Sequence, residues 1–569
     1  MKFSFPAIAA ALLCCLSCVE INSGLGGSLI PVDQTYTIHP MEAPLPYGSI
    51  SMRLTDSLSG YSQSRITIGA IRDERFGLST RSSALTLVPV FDTLDFGNPA
   101  AIKVRRFHFA AALDTISVSR EDQRNILQGI RVHELLAPIN PGRDYDCNGN
   151  TVQVDYSKSI VKGGPVLTGS DSLSFDFTEE FARKFLDISR DELDNFDRYV
   201  AKRPGIHITT DAPAGLGGRI NMFEVQTGYD NSLKYVTGNY AMLNLLCDYD
   251  YDGVAETDTA FFFAYGLAAF TQLDSLFDSV SRGNYPEYSL NLTSHETRTL
   301  AGNASEEVMI EGGGGLKPVI SAVELKHLAE DLIASAGGDP KSAVINKASI
   351  VLPFRFPDDY RDMYKYPAIL SPTCRIRQND STVVFAGLTD SSSADENQGE
   401  INRSTLCYAP DITYHLQELL KINEKPVAGE SDSEKNRRKM LLSGEYDIWL
   451  IITALEEQEN TASNSSLNDY YQMLAYQQYY NSMYGGYGYG GYGYGYGGYG
   501  YGGYGYDPYT NYYSYLMLAS LANSSSSSTT TTEQLDKDRF YSATLYGPNY
   551  PDASLRPRFE LTFSLANSE

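Results

Sequence analysis

Basic residues are scarce: 45 lysines and arginines stand against 70 aspartates and glutamates, a formal net charge of −25. A surface of that sign repels phosphate backbones and anionic headgroups. It excludes sequence-independent nucleic-acid binding and electrostatic docking on a membrane. Cysteine is also sparse. Three of the seven fall within residues 14–18, and the other four, Cys147, Cys247, Cys374 and Cys407, lie far apart. With no CxxC pair among those four, a structural zinc site is disfavoured. Two readings of them stay open: disulfides Cys147–Cys247 and Cys374–Cys407, or four free thiols. The seven histidines are scattered. There is no HExxH, no GxSxG elbow, no P-loop and no dinucleotide fingerprint between a strand and a helix. His295-Glu296 pairs a base with a carboxylate, but no nucleophile stands near it in sequence. Beyond the first twenty residues no apolar run is long enough for a membrane-spanning helix.

The N-terminus has what the rest lacks. Met1-Lys2 gives a short positive region, and Phe5–Leu13 is apolar but too short to span a bilayer. It ends at Leu16-Ser17-Cys18, a small residue before a cysteine, as lipoprotein processing requires, with Cys15 as the fallback. The expectation is a lipoprotein signal peptide over 1–17, lipidation at Cys18, a tether over 18–42, and a membrane association made by acyl chains alone.

Most of the remaining chain, about 550 residues and long enough for two or three domains, reads as short strands. Val88–Phe91, Val104–Phe109, Ile130–Leu135, Thr151–Val154, Tyr240–Leu246 and Ala260–Tyr265 are β-branched or aromatic and bounded by turn residues. In Arg558–Leu565, Phe559, Leu561, Phe563 and Leu565 alternate with polar residues, the mark of one buried and one wet face. Helices are few. Ser321 and Glu324 form a capping box ahead of the stripe Leu325, Leu328, Ala329, Leu332, Ile333, and Gly337-Gly338 stops it. Thr178–Val200 predicts two short helices, the second capped by Ser189 with Glu192, and Asp411–Lys421 predicts another. The fold class is therefore all-β with minor helices: two β-sandwich-like domains, 43–290 and 291–569.

Two segments differ in kind. Tyr484–Tyr506 contains only tyrosine and glycine, and a Ser/Thr run follows at Ser524–Thr532. Without aliphatic residues it builds no core. It is read as part of an insertion, 456–537, between the strands Tyr446–Ala454 and Phe540–Leu545, either a bland surface loop or a stacking surface for sugars. Asp248, Asp250 and Asp252, with Gly253 next, are spaced as in a calcium loop. The twelfth position is Thr259 rather than glutamate, and the flanks are strands. The preferred reading is an acidic hairpin connection, with calcium as the alternative and no other cofactor.

Across the chain the order of motifs resembles a known family. Gly26-Gly27-Ser28-Leu29-Ile30-Pro31 follows the lipid cysteine; Asp56-Ser57-Leu58 precedes Ile68-Gly69-Ala70-Ile71-Arg72-Asp73-Glu74-Arg75-Phe76-Gly77. Ile130-Arg-Val-His-Glu-Leu135, Glu311-Gly-Gly-Gly-Gly315, Ile345–Ile350, Asp411–Leu420 and Arg556-Pro557-Arg558-Phe559 complete the set. Together these resemble the Bacteroidota lipoproteins grouped as domain-of-unknown-function family 4270. The resemblance implies an outer-membrane lipoprotein and supplies no reaction. Eight Asp-Ser/Thr pairs followed by an aliphatic residue, Ala or Thr, with hydroxyls at Ser57, Thr93, Thr115, Ser172, Thr259, Ser275, Ser279 and Ser381, resemble the O-glycosylation sequon of exported Bacteroidota proteins. The expected function is a non-catalytic envelope protein that binds a glycan or another envelope component. The alternatives are an envelope-polysaccharide hydrolase and a structural subunit of an outer-membrane complex. Which side of the membrane it faces stays open.

Overall fold

The structure, a computed structural model, describes residues 36–566 apart from 56–57, 63–64, 90–94, 115–125, 140–144, 149–151, 169–171, 194–195, 225–226, 231–234, 266–288, 378–382, 389, 391–397 and 460–528. Strands make up 46% and helices 18%, in several antiparallel sheets, so the chain is all-β with minor helices.

The N-terminal unit is organised around the strand Gly77–Pro89. One edge of it pairs with Arg65–Asp73 (Gly69↔Arg81) and then with Ile206–Thr210 (Ile206↔Leu85). The other edge pairs with Ser289–His295 (Thr293↔Arg81) and then with Glu256–Tyr265 (Phe263↔Val88). From there the sheet runs through Tyr240–Cys247 and Lys103–Ala111 to Leu173–Asp176 on one side, and through Gln128–Glu134 to Val166–Leu167 on the other. Residues 160–162 join the two ends. The Ile160 amide donates to Val132 O (3.1 Å), the Thr178 amide to Ile160 O (2.8 Å) and the Lys162 amide to Asp176 O (2.8 Å). The two facing layers expected of a sandwich are thus made by one sheet curling round onto itself. Its interior is filled by phenylalanines: Phe107 lies 4.8 Å from Phe177 and 5.2 Å from Phe185, and Phe185 lies 5.1 Å from Phe262. Strand 240–247 shows the expected period of two, with Ala241, Leu243, Leu245 and Cys247 fully buried.

The C-terminal unit has two main sheets on a common core. One is ordered Tyr36–Pro44, Arg558–Ala566, Val344–Pro353, Cys407–Tyr408, Ile401–Asn402. The other is ordered Gly302–Asn303, Ile50–Leu54, Leu316–Ile320, Ile448–Glu459, Ile369–Arg377, Val383–Gly387. Phe559, Leu561 and Phe563 from the first sheet share a core with Ile448, Leu450 and Ile452 from the second. The helices Ala322–Ser335 and Thr413–Leu420 add Leu325, Ala329, Ile333, Leu416 and Leu419 to it.

Strand pairing moves the expected domain boundaries. Residues 36–54, part of which was assigned to the first domain, belong to the second: Met52 pairs with Pro318, and Tyr36 with Ala566. Strand 289–295, placed across the boundary at 290, pairs wholly within the first unit. The insertion is also narrower than 456–537. Strand 448–459 pairs with Thr529–Leu535, while Ser542–Tyr546 pairs with Glu307–Glu311. The Tyr/Gly tract itself lies outside the described residues, as does Cys18.

The two units interpenetrate. Phe76, in the turn between strands 65–73 and 77–89, is buried in the core of the C-terminal unit. Its neighbour Arg75 pairs with Glu307.

Candidate functional site

The acidic loop is a hairpin connection between strands 240–247 and 256–265, which pair directly (Cys247↔Glu256). The Asp248 carboxylate is buried and spent on the turn, accepting from the amides of Asp252 (3.1 Å) and Gly253 (3.3 Å). Asp252 accepts from the Val254 amide at 2.7 Å. Tyr251 at φ +57° and Gly253 at φ +83° turn the chain. Among the described residues the carboxylates of Asp248, Asp250 and Asp252 do not come within 4.8 Å of one another as a group.

The four cysteines are free thiols, so the pairs Cys147–Cys247 and Cys374–Cys407 do not form. Cys247 sits on a strand of the curled sheet, whereas Cys147 lies at the junction of the two units. Burial pushes the Cys147 thiol up to about 11, and it raises the thiols of Cys247 and Cys374 as well. None of these three is an activated nucleophile.

The densest polar arrangement is one the sequence did not single out. It lies at the junction, around Glu311-Gly312-Gly313-Gly314-Gly315-Leu316-Lys317. The glycine run links strands 307–311 and 316–320. Lys317, only 2% exposed, turns back into the loop and donates to the carbonyls of Glu311, Gly313 (3.0 Å) and Gly315 (3.3 Å). Glycine is required where the loop meets the N-terminal unit. Gly313 is at φ +58°, and a Cβ there would lie 3.0 Å from Arg81 Nη2. A Cβ on Gly314 would lie 2.2 Å from Asn148 Oδ1.

Arg81, His295 and Glu311 form a buried chain of hydrogen bonds. Arg81 Nη1 lies 3.2 Å from His295 Nε2, and a guanidinium only donates. The imidazole therefore accepts at Nε2 and carries its proton on Nδ1, which faces Glu311 Oε1 at 3.1 Å. Glu311 also accepts from the Thr297 hydroxyl and from the Leu316 amide at 3.3 Å. Burial lowers the pKa of His295 despite Glu311, keeping the ring neutral. Burial would raise Glu311, but the hydrogen bonds from His295 and Thr297 outweigh it and hold the carboxyl below its ordinary range.

These residues have the types of a catalytic triad without its geometry. A general base needs a free ring nitrogen facing the nucleophile. Here Nε2 is taken by Arg81, and Ser79 Oγ approaches the same Nδ1 that serves Glu311, at 3.3 Å. The side chains of His295 and Glu311 are each 1% exposed, which leaves no path for a substrate. The neighbour expected for His295, Glu296, faces elsewhere, accepting from the Leu78 amide at 2.9 Å.

Further contacts extend the junction. Asp538 accepts from Ser62 Oγ (2.7 Å) and Asn291 Nδ2 (2.9 Å), and Lys537 Nζ donates to the carbonyls of Ser59 (3.0 Å) and Tyr61. His295 and the run Glu311–Gly315 were legible in the sequence; Arg81 and Asp538 carried no signal.

No family model, no curated protein and no solved structure matches the chain.

Proposed function

We propose that this protein is a non-catalytic, lipid-anchored envelope protein whose body is a rigid carrier for its Tyr/Gly segment, which takes a glycan or another envelope component. The observation that carries the reading is the way residues 460–528 join the body. Strands 448–459 and 529–535 pair in continuous register from Thr453↔Leu535 to Glu459↔Thr529. The segment therefore leaves and re-enters at cross-strand neighbours, about 5 Å apart. Strand 369–377 stops pairing at Thr453, so the rest of this hairpin forms a stem beyond it. Ser17-Cys18 supports the anchor, and the acyl group belongs on Cys18. The junction supports the non-catalytic part, because His295 and Glu311 are sealed from solvent and bonded to each other.

Two measurements test this. Cys18→Ala should move the protein from the membrane to the soluble fraction; a variant that stays with the membrane refutes the anchor. Replacing 460–528 with a short Gly/Ser turn should abolish binding on a glycan array or to isolated envelope while the melting temperature holds or rises. Retained binding places the ligand elsewhere. Release of reducing ends from envelope polysaccharide by the wild-type protein would favour the hydrolase instead.

A further inference from the structure

We propose that His327, Glu330 and Glu424 form a surface site for a borderline divalent transition-metal ion of the Zn2+ type. His327 and Glu330 are one turn apart on the helix 322–335, so both project from the same face. Glu424 comes from the segment after the helix 413–420 and folds back so that both its oxygens face the imidazole, 2.9 and 3.0 Å from His327 Nε2. One donor atom from each residue lies within 4.8 Å of the other two. Three ligands about 2.0–2.2 Å from one ion sit a little closer together than that, so rotamer adjustments suffice.

The donor set decides which ion. One imidazole nitrogen with two carboxylates suits zinc and its neighbours in the first transition row. Calcium and magnesium prefer oxygen alone. The His327 side chain is 47% exposed, so an ion arrives from solvent and keeps water on its remaining positions. The ligands are also held in place. Lys326, 4% exposed, reaches from the inner side to Glu330 (2.5 Å) and Glu424 (2.9 Å). The same ammonium repels an incoming cation. Affinity is therefore lower than that of a structural zinc site, and it rises when the ammonium is removed.

Zn2+ titrated calorimetrically into the untagged, full-length protein should show one site. His327→Ala, at a half-exposed position that leaves the fold intact, should weaken it by about tenfold or more. Lys326→Met should strengthen it. With Co2+ as the probe, the wild type should gain visible ligand-field absorption that His327→Ala lacks. Equal affinity in His327→Ala, or no binding by the wild type, overturns the site. Weaker or unchanged binding in Lys326→Met overturns the role given to the ammonium.

Discussion

At the scale of single residues, the buried ionisable groups decide how stability responds to pH. Burial pulls the Lys317 ammonium down to about 7, against about 10.4 in an unfolded chain. Between those values the unfolded chain holds a proton that the folded chain has released, so this group makes stability climb as pH rises from about 7 to about 10. Urea unfolding across that window should show the climb in the wild type and a flatter profile in Lys317→Met; identical profiles would refute it. His415 and Asp390 oppose each other. Burial lowers His415 to about 4 and raises Asp390 to about 6. Below pH 6.5 the unfolded chain protonates its histidine first, which costs stability down to about pH 4. From about pH 6 to 4 the folded chain protonates Asp390 first, which restores some of it. The two meet on one helix, where Asp390 accepts from the amides of Tyr414 (2.6 Å) and His415 (3.1 Å). Asp390→Asn should therefore make the acid loss between pH 6 and 4 steeper. A shallower loss in that variant would contradict the assignment.

At the scale of elements, caps hold helices that their sequences barely support. The helix Asp432–Ser443 buries only Arg437, Met440 and Leu441. Ser431 and Glu434 close a reciprocal capping box at its start, and Gly444 ends it at φ +80°. Ser431→Ala should cost about 1 kcal/mol in chemical denaturation, and Ser431→Asp much less. Equal losses would mean that the cap carries nothing. This helix was missed in the sequence because its apolar stripe is thin, although Ser431-Asp-Ser-Glu434 could be read as a cap. Helix 322–335, with a cap and a full stripe, was legible to within a residue or two. Strand 558–566 was legible for the corresponding reason, a clean alternation. Strand 77–89 was visible only at its apolar end, from Val88. Its middle carries Ser79, Arg81 and Ser83, polar residues that are buried because they bond to His295 and Asn291 on the neighbouring strand. The candidate site was hidden for the same reason: Arg81, His295 and Glu311 come from three separate strands, and a sequence does not display such partners side by side.

At the scale of the whole molecule, the class of fold was readable and the connectivity was not. Local patterns indicate strands, but nothing local says that Ile50–Leu54 will pair with a strand more than 260 residues later. The same topology predicts how the chain tolerates loss of its insertion. Both ends are already fixed by the 448–459/529–535 hairpin, so replacing 460–528 with a four-residue turn removes only loop-closure entropy. The expected change in unfolding free energy is a gain of about 2–3 kcal/mol, growing only with the logarithm of loop length. Failure of the shortened chain to fold would show that the insertion packs on the body.

Strand Tyr36–Pro44 lies at the edge of its sheet and pairs with 558–566 along its whole length. Any pull on the chain preceding Tyr36 enters the body through this strand. Pulled along its own axis, the strand is loaded in shear, and every rung from Tyr36↔Ala566 to Pro44↔Arg558 shares the force at once. Pulled away from the sheet, the same rungs open one after another, starting at Tyr36. Pro40 and Pro44 lack the amide hydrogen that a rung can use, which makes the middle and far end the softer places. The body is thus strong against drag directed along this strand and weak against peeling, a directional strength set by the placement of one edge strand.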